Sequence, residues 1–163
     1  MSEGVPNGAS PNTAAGGVAV AAPRRPVALV AAHGDLAAGL RSAVEQITGR
    51  GALLDVLSNR DMGGAEIEAA MRAKLAAADA YVVFTDLPAG SCALAARRLQ
   101  RERPDLTVVT GTNLGTLLDF VCAAEGKCDG DVRTAEGARA AAERAVQRGQ
   151  VVLTSTPGAP RAG

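Results

Sequence analysis

The chain holds a single histidine, and it stands where an apolar run gives out: VALVAA (27–32) leads into His33-Gly34-Asp35 and then into a helical pattern. A second run, AYVVFT (80–85), ends on a carboxylate, Asp86, and is followed by LPAGS (87–91). A carboxylate that accepts one ring N–H fixes the tautomer of an imidazole and leaves the lone pair of the opposite nitrogen exposed, as a nucleophile requires. It also stabilises the cationic ring that exists while a bond to phosphorus forms. Gly34 and Gly90 keep the approach open, and the helices that follow offer N-terminal N–H groups to an anion. These residue types together suit a phosphoryl-accepting site.

Each residue also has a plainer reading. His33 fits a surface or turn histidine, Asp86 a turn residue ahead of Pro88, and Ser91 a helix N-cap, since no G-x-S-x-G elbow surrounds it. Asp35 or Gly34 is placed to cap the first helix and Gly49 to end it. EGKC (125–128) is no phosphate-binding loop, because Cys128 stands where Ser or Thr would hold magnesium and Val121 where the first glycine belongs. Asp129 and Asp131 lack the oxygen count of a calcium loop. RRLQRER (97–103) reads as a solvated helix face, or else as a docking patch for an acidic partner.

The pairing of His33 with Asp86 depends on the elements that carry them. Apolar runs at 27–32, 52–57, 80–85 and 106–110 read as strands. Helical stripes alternate with them: Leu36, Leu40, Ala43, Val44 and Ile47; Ile67, Ala70, Met71, Leu75 and Ala78; Cys92, Ala95, Ala96 and Leu99, stopped by Pro104; a short helix from Asn113 to Ala124; and Val132, Ala135, Ala142 and Val146. This alternation predicts an α/β fold, a doubly wound and mainly parallel sheet with helices on both faces. In the strand order 2-1-3-4 the switch point, where ligands bind beyond the strands' carboxyl ends, lies between the first and third strands. His33 and Asp86 leave those two strands, and would then lie roughly 4–5 Å apart, the spacing of neighbouring strands. QVVLT (150–154) reads either as an extra edge strand or as tail.

Composition narrows the function classes. With 17 basic and 17 acidic residues, there is no net field to hold a phosphate backbone or an anionic membrane face. Tyr81, Phe84 and Phe120 are the only aromatics, and all three read as core rather than as stacking platforms. Cys92, Cys122 and Cys128 form neither an even framework nor a CxxC pair, and one histidine cannot complete a Cys/His zinc site. Reduced thiols in a cytoplasmic protein without metal are expected. No apolar run reaches the roughly 18 residues of a membrane helix. Residues 1–25 are expected to be a disordered leader, 26–154 one domain, and 155–163 a disordered tail.

Three motifs together resemble a known family, over roughly residues 26–148. VALVAAHGDLAAGLRSAVEQITG, VVFTDLPAGSCALAARRL and TVVTGTNLGTLLDFV are similar, in order and spacing, to the IIA component of the mannose/fructose/sorbose group of the bacterial sugar phosphotransferase system. The resemblance places the family's phosphorylated histidine on His33, its aspartate on Asp86, its hydroxyl residue on Ser91, and its Gly-x-Asn on Gly111 and Asn113. Ala89 replaces a glycine of the family's Gly-Gly pair, Cys92 replaces its proline, and Gly115 stands where a proline or larger residue is common. These departures bear on partner preference and transfer rate.

What the resemblance implies is a cytoplasmic relay without metal or organic cofactor. His33 would accept phosphate from phospho-HPr and pass it to a IIB component, with Gly34, Gly90 and Ser91 supporting the phosphate and Asp35 and Asn113 as further candidates. Family members pair as homodimers, in some cases by exchanging a terminal strand, for which QVVLT is the candidate here. Too few residues follow Thr154 for a IIB domain, so IIB and the membrane components IIC and IID are expected as separate proteins. Other readings are a regulatory phosphohistidine module that feeds no sugar, the phosphocarrier of dihydroxyacetone kinase, and a small-molecule binder with an inert histidine.

Overall fold

A computed structural model describes residues 25–124 and 131–150. The expected leader up to residue 24, the tail, EGKC, and QVVLT beyond its first residue lie outside the described residues. Four strands, β1 (Ala28–Ala32), β2 (Leu54–Ser58), β3 (Val82–Thr85) and β4 (Thr107–Thr110), alternate with helices α1 (Leu36–Thr48), α2 (Gly64–Ala78), α3 (Ser91–Glu102) and α4 (Leu114–Cys122), and α5 (Ala135–Arg148) closes the described chain. The sheet runs β2-β1-β3-β4 and every pairing is parallel. This is the predicted doubly wound order.

Every residue of β1 and β3 is buried, because helices cover both faces of the sheet. On one face Val30, Phe84 and Val109 meet Val44 of α1, Leu117 and Phe120 of α4, and the alanines of α5. On the other face Leu29, Ala31 and Val83 meet Ile67, Met71 and Leu75 of α2 and Cys92, Ala96 and Leu99 of α3. Phe84 and Phe120 contact edge to face, with ring centroids 5.0 Å apart. Such a pair adds about 0.5–1.5 kcal/mol to the burial of the rings, the two largest fully buried side chains on that face.

Several elements differ from expectation. The second strand starts at Leu54 rather than residue 52, because Gly51–Leu53 closes a 3-10 turn. In α1 the inward line is Ala37, Leu40 and Val44, while Leu36 and Ile47 are exposed. In α5 the inward line is Ala138, Ala141, Ala142 and Ala145, and Val146 faces outward; Val132 is buried but precedes the helix. The inward line of α5 is alanine, so close approach to the sheet decides its face rather than side-chain size, while in α1 Leu40 and Val44 take the face that Leu36 and Ile47 leave. Tyr81 is only partly buried, and the Arg103 guanidinium lies 5.5 Å over its ring. No helix among the described residues is long and apolar enough to cross a membrane.

Candidate functional site

The site forms where β1 and β3 end side by side. Ala31 is in register with Thr85, so the chains leave the sheet together into His33 and Asp86. The Asp86 Oδ2 accepts two hydrogen bonds from one residue, the His33 backbone N–H at 3.0 Å and the ring Nδ1 at 2.8 Å. The Leu87 N–H donates to the other oxygen at 3.0 Å. The side chains are therefore in direct contact, closer than strand spacing alone implies. Asp86 is 8% exposed and His33 is 49% exposed, so the carboxylate is sunk behind an accessible ring.

Burial acts to raise the Asp86 carboxyl. The His33 backbone N–H, its imidazole and the Leu87 N–H outweigh that and hold the group below its ordinary value. Asp86 is thus ionised at neutral pH and can only accept, which puts the proton of a neutral ring on Nδ1 and the lone pair on Nε2. Nε2 has no hydrogen-bond partner among the described residues. What remains is one unblocked nucleophilic nitrogen with its counter-charge behind it.

Glycine shapes the mouth of this cleft. Gly34 has φ +54° and Gly90 φ +137°, conformations that a side chain disfavours. A Cβ on Gly90 would lie 3.6 Å from His33 Cε1, so the glycine leaves the edge of the ring next to Nε2 uncovered. Asp35 and Gly90 stand at the N-caps of α1 and α3, and neither helix start receives a side-chain cap. The first-turn N–H groups there have no intrahelical acceptor, an arrangement suited to an anion.

The predicted residues do not all keep their predicted local roles. Ser91 is the first residue of α3 and not its cap; its Oγ accepts from Asn59 Nδ2 at 3.2 Å. Asp35 sits at the cap position of α1 without capping it, because its carboxylate accepts from Arg60 Nη2 at 2.9 Å. Asn113 caps α4 by accepting from the Thr116 N–H at 2.9 Å, and its amide donates to Gly149 O at 2.8 Å, so both ends of that side chain join α4 to α5. Burial, reinforced by the Asp86 charge, pushes the Cys92 thiol up, against an opposing contact from Ser91. That thiol stays protonated at neutral pH and packs against the sheet.

Asn59 and Arg60, which sequence reasoning passed over, also border the cleft, and Arg97 of RRLQRER braces one of its loops. Asn59 and Arg60 follow β2, whose end lies beside that of β1, and the strand order alone would have directed attention to them. Arg97 reaches back from α3 to donate to the Pro88 carbonyl at 3.1 Å, which steadies the loop between Asp86 and Gly90. Elsewhere in RRLQRER the solvated face holds for Arg98, near Glu68, and for Glu102, bound to Arg72, whereas Leu99 is buried in the core.

The family model for the PTS system fructose IIA component, EIIA-man, matches residues 28–136. Among solved structures, phosphotransferase system component EIIA from Streptococcus agalactiae is similar at 19% identity and a TM-score of 0.63, over 75% of this chain and 90% of that one. The mannose/sorbose specific IIA subunit from Enterococcus faecalis is similar at 23% identity and a TM-score of 0.62, over 84% of this chain and 100% of that one. The PTS IIA protein associated with the fucose utilization operon from Streptococcus pneumoniae is similar at 20% identity and a TM-score of 0.60, over 76% and 90%. At such identities these likenesses establish the fold. No curated protein matches.

Proposed function

The chain belongs to the mannose-type IIA family of the bacterial sugar phosphotransferase system, and from that membership we propose that His33 is its phosphoryl acceptor, with Asp86 orienting the ring. The Nε2 lone pair attacks the phosphorus of a phosphohistidine donor in line. The new P–N bond forms as the donor's P–N bond breaks, and the bonding pair returns to the donor nitrogen. A donor ring protonated at its other nitrogen then leaves as neutral imidazole. His33 keeps its Nδ1 proton and becomes a cationic phospho-ring beside ionised Asp86. The same steps in reverse deliver the group to an acceptor. The observation that carries this reading is the 2.8 Å contact from Nδ1 to Asp86, with Nε2 left open. Positioning and charge supply the effect, since phosphoryl transfer asks little covalent chemistry of the protein.

The donor in this reading is phospho-HPr and the acceptor a separate IIB component, with IIC and IID completing transport, all meeting the chain in the cytoplasm. Leu36, Leu87 and Leu94 are exposed on the first turn of α1, the loop after Asp86 and the first turn of α3, an apolar rim of the kind that protein partners cover. Gly34, Gly90 and Ser91 border the transferred group, and the step needs no metal or organic cofactor. A second copy of the chain is the proposed partner at the free edge of β4. A groove of about 830 Å³ runs there between Val108 and Thr110 of the strand and Ala142 and Val146 of α5, and residues 150–154 are the segment offered for exchange. A monomeric mass in sedimentation at all concentrations would remove the dimer.

Radiolabelled phospho-HPr tests the chemistry. Label is expected on His33 alone, acid-labile and lost in His33→Ala. Label at another residue, or undiminished uptake by His33→Ala, would refute the assignment.

A further inference from the structure

The turn after β2 brings a cation to the same cleft. The Asn59 N–H donates to Ala32 O at 3.2 Å, one residue before His33, and the Met62 N–H closes the turn onto Asn59 O at 3.2 Å. Asp61 takes φ +57° within it, a left-handed conformation uncommon for a residue with a side chain. Asn59 is held a second time through its amide on Ser91. Arg60 thus leaves a pinned turn, and its guanidinium lies over the glycine next to the histidine: a Cβ on Gly34 would be 3.6 Å from Arg60 Nη2. The same nitrogen donates to Asp35 Oδ2 at 2.9 Å. Arg60 and Asp35 are 59% and 84% exposed, and water screens a pair like this, so it adds little to stability. The Arg97 cation of α3 is engaged with the Pro88 carbonyl.

A guanidinium matches carboxylate and phosphoryl oxygens alike. A phosphoryl group on Nε2 carries about two negative charges, against the single charge of Asp35. Resting on the relay reading above, we propose that Arg60 is a positioning residue for the phosphoryl group on His33: Asp35 holds its guanidinium while the ring is free, and the guanidinium turns to the phosphoryl oxygens when the ring is loaded. Asp35 is then a competitor for the cation, and the two partners of one ion pair act on transfer in opposite directions.

The test compares full-length wild type, Arg60→Gln, Arg60→Lys and Asp35→Asn, each loaded from radiolabelled phospho-HPr in single turnovers. All four are expected to carry label on His33. Arg60→Gln should load about ten- to a hundredfold more slowly, the effect of losing a hydrogen bond to a charged group. Arg60→Lys should recover part of the rate, and Asp35→Asn should load at least as fast as wild type. Phosphorus NMR should show the phosphoryl group of Arg60→Gln titrating at higher pH than that of wild type, because a nearby cation favours the dianion. A wild-type rate in Arg60→Gln, or equal losses in Arg60→Gln and Asp35→Asn, would overturn the inference while leaving labelled His33 in place. An unlabelled His33 in wild type would overturn the relay reading and this inference with it.

Discussion

At the cleft, α1 and α3 begin without a side-chain cap and the glycines beside them leave space. Beyond β4, α4 and α5 begin on Asn113 and Thr134, each accepting a hydrogen bond from the N–H three residues on, and glycine is there to be filled against. A Cβ on Gly149 would run into the Thr116 side chain and backbone, and one on Gly137 into the Asp131 carbonyl. A side-chain cap is worth about 0.5–2 kcal/mol, so two helices forgo that stabilisation where the cleft opens and two others take it at the seam. The uncapped pair keeps its positive N-terminal ends available to an incoming anion. Chemistry is therefore held where the two central strands end and packing at the seam of α4 and α5, and each should be open to damage without the other.

The sharpest way to separate them is Asp86→Asn. An amide in place of the carboxylate can donate to Nδ1, which would move the ring proton to Nε2 and occupy the attacking lone pair. Transfer from phospho-HPr should fall by about 10²–10⁴-fold in single turnovers, with the circular dichroism of the fold unchanged. A rate within twofold of wild type would remove Asp86 from the mechanism. Gly149→Ala should do the reverse. Overpacking against Thr116 costs about 1–3 kcal/mol, read as a Tm lower by roughly 3–10 °C, while His33 in the folded fraction loads at the wild-type rate. Loading impaired as strongly as in Asp86→Asn would show that cleft and seam are not independent.

A smaller effect follows from the lowered titration of Asp86. A carboxyl whose folded pKa is depressed stabilises the fold above its unfolded value and loses that contribution as pH falls through the folded one. The stability difference between wild type and Asp86→Asn should therefore be full at neutral pH and shrink on acidification below about 3.9, the ordinary aspartate value. A difference that grows as pH falls below that value, measured by denaturant unfolding, would contradict the assigned ionisation.

Much of the fold and of the cleft is legible in the sequence. The four apolar runs and the switch-point rule bring His33 beside Asp86 once the order 2-1-3-4 is taken, which is the order the sheet has; the other common doubly wound order would have parted the two strand ends. The stripes of α2 and α3 were legible too, since Ile67, Met71, Leu75 and Leu99 contrast strongly with their charged neighbours. In α1 and α5 the contrast is weak. Leu36, Ile47 and Val146 drew the inward face toward themselves, whereas Ala37, Leu40 and Val44 set it in α1 and alanines, by allowing close approach, set it in α5. Asn59 and Arg60 were passed over although the strand order sets the end of β2 beside that of β1, and the bond from Arg97 to the Pro88 carbonyl crosses a loop boundary that no local spacing records.

Both bonds that the His33 backbone and ring make to a single carboxylate oxygen fix the direction in which the imidazole looks outward. In the proposed relay, donor and acceptor must then use one doorway and cannot be inside it together. Kinetics of the double-displacement type follow, with each visitor inhibiting the other at high concentration.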